Sequence, residues 1–118
     1  NSLTLPLGLF ARILADVQAI GEQILISSDK EKGSVTFSTK SDAGTAEIPL
    51  LKGDFDGEIK EDAKALYNAE SIKPFVKSPK DSEKITVSYG SKLPIMLERK
   101  FAEGGYARFY LAPRIEGL

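Results

Sequence analysis

Tyr110-Leu111-Ala112-Pro113-Arg114-Ile115-Glu116 lies near the end of the 118-residue chain. It is a mostly apolar strand that runs into a proline and leaves one more aliphatic residue beyond it. Proline has no N–H to give to a sheet ladder, so Pro113 stops the strand. Ile115 then stands past the last strand, an odd place for a core residue. The run reads as an exposed apolar patch, the usual mark of a binding surface. The alternative is that Ile115 packs back on its own sheet.

Working back from this run, Glu103-Gly104-Gly105 is a hairpin turn between strands at residues 94–101 and 106–112. Before it, residues 84–89 alternate, with Ile85, Val87 and Tyr89 inward and Thr86 and Ser88 outward. A short helix is expected from Ser71, as N-cap, to Lys77, with Pro74 in its first turn. Ile72, Phe75 and Val76 form its apolar face. Residues 23–29, 33–39 and 45–51 are rich in β-formers and separated by polar turns. Pro49 marks the third of these as an edge strand or a strand end. Residues 54–59 and 63–68 are further strand candidates, and residues 2–5 read as the end of a first strand.

The first helix is expected over residues 8–19. Phe10, Ile13, Leu14 and Val17 recur at i, i+3, i+4 and i+7, while Gly8, Arg12, Ala15 and Ala19 fall on the opposite face. The resulting order, β-α-β-β-β-β-β-α-β-β-β, predicts an antiparallel α+β domain with helices covering one sheet face. No linker or low-complexity segment divides it, so residues 1–118 are read as one domain. Two weakly similar halves, each a helix followed by strands, are compatible with the order.

Composition narrows the chemistry. The chain has no cysteine and no histidine, which removes disulfides, Cys/His zinc sites and every His-dependent nucleophile. There is no phosphate-binding or dinucleotide-binding glycine motif. Asp54, Asp56, Glu58, Glu61 and Asp62 form an acidic stretch, but its spacing lacks the glycine and final glutamate of a calcium loop, so it reads as solvated surface. No metal, no cofactor and no enzymatic activity are expected. No apolar run reaches the roughly 18 residues of a membrane span. With 16 basic and 17 acidic residues the net charge is −1, so any polyanion contact must come from local placement. Arg12, Lys73 and Lys77 lie opposite the apolar faces of the two helices. If both helices pack on the same sheet face, these three share one surface. Taken alone, two lysines and an arginine read as a solvated face.

The terminal run Tyr110–Glu116 resembles the closing signature of the archaeal and eukaryotic sliding clamp, the proliferating cell nuclear antigen family. Phe10-Ala11-Arg12-Ile13 with Asp16 and Ile20-Gly21, then Gly33-Ser34-Val35-Thr36-Phe37-Ser38, and Leu93-Pro94-Ile95-Met96-Leu97-Glu98 agree with that family in order and spacing. The match runs from about Leu3 to Glu116 and looks like the second of the two domains of a clamp subunit. It implies a DNA-clamp fold with antiparallel sheets outside and two helices on the inner face. It also implies a DNA polymerase processivity factor that encircles duplex DNA in a trimeric ring and recruits polymerase, clamp loader and other clamp-binding peptides.

Carried over residue by residue, the resemblance places Arg12, Lys73 and Lys77 toward DNA. The short helix differs around Pro74, and Ala15 and Gln18 are neutral where the family often carries basic residues, so the contact is expected to be weak. Pro94, Tyr110, Leu111, Ala112, Pro113 and Ile115 map onto the floor of the partner-peptide groove. Thr45, Ala46, Glu47, Ile48, Pro49 and Leu50 map onto the edge that meets a neighbouring subunit, and Ala107, Arg108 and Phe109 onto the edge that meets the first domain. Localisation follows the DNA: nucleus in a eukaryote, nucleoid-containing cytoplasm in an archaeon. The rival readings are a subunit of a DNA-damage checkpoint clamp, a protein-interaction domain that never meets DNA, and a small carboxylate-dependent enzyme.

Overall fold

Strand β1 (Ser2–Pro6) runs straight into helix α1 (Leu7–Gln18) with no intervening loop. Pro6, at φ −59° and ψ 135°, is both the last strand residue and the residue that starts the helix. It has no side chain to cap with. The carbonyl of Glu83 instead accepts the Leu7 N–H at 3.0 Å, which satisfies one of the orphan donors of the first turn. The computed structural model describes residues 1–77, 83–101 and 103–114.

After α1 come β2 (Gln23–Asp29), β3 (Ser34–Ser41), β4 (Gly44–Leu50), β5 (Asp56–Glu58) and β6 (Ala63–Asn68). A four-residue helix, α2 (Ala69–Ile72), continues into a 3₁₀ turn (Lys73–Val76). Strands β7 (Lys84–Ser88), β8 (Ile95–Lys100) and β9 (Tyr106–Leu111) follow. The strands form two antiparallel sheets, ordered β5-β1-β7-β8-β9 and β4-β3-β2-β6.

This topology makes the two halves visible. β1-α1-β2-β3-β4 and β6-α2-β7-β8-β9 are the same unit written twice, each donating its first strand to the other unit's sheet. Each helix is thus the crossover from one sheet to the other. That corrects the expectation of helices covering one sheet face: α1 packs against β1 and β7 of one sheet and β2, β3 and β4 of the other. It touches both because its Phe10, Ile13, Leu14 and Val17 close a core that both sheets line. Inward residues alternate as period two requires: Leu3, Leu5, Ile85, Val87, Ile95 and Leu97 from one sheet, and Ile24, Ile26, Val35, Phe37, Ala65 and Tyr67 from the other. Phe10 and Phe37 meet edge to face across the middle, ring centroids 6.1 Å apart.

Several expected elements change their bounds. The second helix opens at Asn68 rather than Ser71, because the Asn68 side-chain oxygen accepts the N–H groups of Glu70 at 2.9 Å and Ser71 at 3.3 Å. Ser71 is inside the helix, and the turn carrying Pro74 is 3₁₀. The acidic strand shrinks from residues 54–59 to Asp56–Glu58, paired with β1. Asp54 is instead a turn residue whose carboxylate accepts the Leu51 N–H at 2.8 Å. The last strand ends at Leu111, one residue earlier than expected. Pro49 does sit on an edge strand: among the described residues β4 pairs only with β3.

Candidate nucleic-acid and partner-binding surfaces

The helix surface comes first. α1 packs against α2 and against the 3₁₀ turn, so the elements bearing Arg12, Lys73 and Lys77 are neighbours, and all three side chains are exposed. Gly8, Ala15 and Ala19 are exposed beside Arg12, which leaves that flank of α1 short-chained. Among the described residues none of the three cations forms an ion pair, so their charge stays open to solvent. The surface is not purely basic: Asp16 and Glu70 are exposed on the same helices, with Glu70 accepting from Gln18 Nε2 at 2.9 Å. Three cations against two carboxylates give a modest positive bias, suited to weak, sequence-independent phosphate contact.

The sequence reading missed what holds the Lys73–Lys77 turn in place. Arg99 occupies an inward-facing position of β8, two residues after the buried Leu97. Its Nε and Nη2 donate to Glu83 Oε2 at 3.0 and 2.6 Å. Its Nη1 donates to the Phe75 carbonyl at 2.9 Å and, more distantly, to the Lys77 carbonyl at 3.5 Å. The visible signal was the alternation itself: Ile95, Leu97, Arg99 puts a charge where period two asks for an apolar residue.

The second surface is the seam between the sheets. Leu111 still pairs with Ile95 in the first sheet. Three residues later Arg114 bridges Leu66 of the second, its N–H donating to the Leu66 carbonyl at 2.6 Å. Ala112 and Pro113 therefore span the seam. Around them Pro94 and Ala112 are exposed, Leu111 and Pro113 are half-buried, and Tyr110 is 64% exposed. Leu93, not singled out from sequence as a site residue, adds a side chain 56% exposed. Its carbonyl accepts the Tyr67 hydroxyl at 2.7 Å, which anchors the 91–94 turn to the second sheet. The Tyr67 pKa is pushed up to about 12, chiefly by burial and then by Tyr89, so it remains a donor at neutral pH. Ile115 lies outside the described residues.

The edges are the third feature. Thr45, Ala46, Glu47, Ile48, Pro49 and Leu50 all belong to β4, and Ala107, Arg108 and Phe109 to β9. Among the described residues both strands are outermost in their sheets. They are also equivalent positions of the two repeated units. Among the described residues no group of three or more acidic side chains is gathered as a metal site; Asp54 and Asp62 accept backbone N–H bonds from Leu51 and Lys30.

Residues 1–114 match the family described as proliferating cell nuclear antigen, C-terminal domain. The chain belongs to that family. A DNA polymerase sliding clamp of Nitrosopumilus maritimus is 38% identical over 111 residues, covering 91% of this chain and 44% of that protein. Among solved structures, one of the C-terminal region of FEN-1 bound to A. fulgidus PCNA superposes with a TM-score of 0.85 at 22% identity, covering 99% of this chain and 47% of that one. The clamp-domain fold expected from the terminal signature is therefore the fold observed, and the chain spans less than half the length of these two relatives.

Proposed function

We propose that this domain is the C-terminal half of a sliding-clamp subunit, a non-enzymatic DNA polymerase processivity factor. The observation that carries the reading is the family match over residues 1–114, joined to a helix surface on which Arg12, Lys73 and Lys77 are exposed and, among the described residues, form no ion pair. In the ring these cations face duplex DNA and hold it by phosphate contacts without reading bases, which lets the ring slide. The β4 edge joins a neighbouring subunit and the β9 edge joins the other domain of its own subunit, extending the two sheets into the ring wall. Pro94, Tyr110, Leu111, Ala112, Pro113 and Ile115 give polymerase, clamp loader and repair proteins a docking floor. The site of action is wherever chromosomal DNA lies, the nucleus or the nucleoid.

Replacing both Arg12 and Lys77 by Glu in a clamp ring built with this domain is expected to reduce clamp-dependent processivity. Each exposed change costs at most about 0.5 kcal/mol of stability. Unchanged processivity with rings loaded normally would overturn the DNA-facing assignment. The docking floor is tested separately, by titrating an aromatic-containing clamp-binding peptide into the chain and following backbone amide shifts. Shifts centred on Tyr110, Leu111, Ala112 and Leu93 are expected, Pro94 and Pro113 having no amide to report. Shifts that avoid them place the partner elsewhere.

A further inference from the structure

We infer that Arg99 is a positioning residue for the DNA-facing lysines, an inference that rests on the proposed clamp reading. The 3₁₀ turn Lys73–Val76 is only four residues long and ends at Lys77 in extended conformation. Such an end leaves carbonyls without intrahelical partners. Arg99 satisfies two of them, at Phe75 and more weakly at Lys77, with one arm of its guanidinium. The other arm grips Glu83 in a 2.6 Å ion pair, the side chains being 15% and 9% exposed. Glu83 in turn lends its carbonyl to Leu7 N at the start of α1. One half-buried guanidinium thus ties together the end of the lysine-bearing turn, the residue that leads into β7, and β8.

A second hold comes from β9, where Phe109 stacks on Phe75 with ring centroids 5.5 Å apart and planes 27° apart. The turn is too short to be rigid by itself. Its lysines stay in register because strands β8 and β9 grip it from below. Arginine is required because only a planar fork reaches a carboxylate and a carbonyl at once; lysine keeps the charge but offers a point donor.

Arg99→Lys is the discriminating variant, because it leaves net charge and long-range field unchanged. The readout is the affinity of the chain for a short DNA duplex at low salt, followed by NMR titration, and its dependence on salt concentration. The lysine variants Lys73→Ala/Lys77→Ala should weaken binding and flatten the salt dependence by about two phosphate contacts. Arg99→Lys should weaken binding about threefold and flatten the salt slope in the same direction. In the Lys73→Ala/Lys77→Ala background it should change neither.

Several results would count against this. An equal loss in both backgrounds would mean a general structural effect or a contact of its own, and would overturn the inference. So would no effect of Arg99→Lys while the lysine variants bind weakly. If the lysine variants themselves bind as tightly as the parent, the duplex reading falls and the inference falls with it. Should Arg99→Lys lose the native amide spectrum, Glu83→Asp shortens the same ion pair by one methylene and must give the same pattern of background-dependent loss.

Discussion

Tyr67 shows how one residue serves both core and surface. Its ring is buried between the sheets, and its hydroxyl holds the Leu93 carbonyl at the edge of the docking seam. Burial raises its pKa to about 12, whereas an unfolded tyrosine ionises near 10. A folded pKa above the unfolded one means the contribution is whole below pH 10 and is lost as pH rises toward 12. Tyr89, raised chiefly by burial, works in the same direction. Tyr67→Phe removes the hydrogen bond, at a cost of about 1 kcal/mol near neutrality. It also removes a pH-dependent loss of roughly 2 kcal/mol by pH 12. Urea unfolding from pH 7 upward should therefore show the parent more stable at neutral pH, the gap closing above pH 10 and the order reversed by pH 12. A gap constant with pH would contradict this account. In the sequence Tyr67 was only one member of a strand candidate, because what distinguishes it is a carbonyl 26 positions away.

At the scale of the element, the second helix separates local from tertiary control. Both Asn68 and Ser71 are good capping types, and a pattern reader has no local reason to prefer one. The choice was made by β6, which pairs with β2 as far as Asn68 and delivers that residue in extended conformation at ψ 111°. Two turn N–H groups then fall on its side-chain oxygen. Asn68→Ala should cost about 1 kcal/mol of unfolding free energy, and Ser71→Ala, exposed inside the helix, should stay within about 0.5 kcal/mol. Chemical denaturation of the two variants side by side checks it; the reverse ranking would restore Ser71 as the cap. Helix α1 was far more legible. Its apolar stripe is long enough to declare a period, and every residue of that stripe is buried.

At the scale of the whole molecule, the repeated unit governs behaviour. β4 and β9 occupy equivalent places, and each has a paired strand on one side only among the described residues. An open edge presents a row of unpaired N–H and C=O groups that recruits other strands. Pro49 and Glu47 blunt β4, and Arg108, salt-bridged to Glu98 at 2.7 Å, decorates β9. Because the edges are equivalent, β4 of one copy is a fit for β9 of the next, a heterologous contact that closes into rings or runs on as open chains. Sedimentation of the isolated chain over a wide concentration range should show reversible self-association. A strict monomer throughout, or pairing of like edges, would refute the head-to-tail form.

The alternation of the strands, the buried stripe of α1, the edge character of the strand bearing Pro49 and, through Tyr110–Glu116, the family are legible in the residues alone. These are properties of short windows, set by sterics, periodicity and the missing N–H of proline. The closed fold is what makes the helices bridge two sheets, Ala112 and Pro113 span the seam between them, Asn68 the cap, and Arg99, paired to Glu83, the holder of two carbonyls at the end of the lysine-bearing turn. Each of these depends on partners distant in the chain: Arg114 on Leu66, Asn68 on the pairing of its strand with Gln23 of β2, Arg99 on Phe75. Local spacing carries no record of such pairs, because the geometry that joins them exists only once both sheets have closed over the same core.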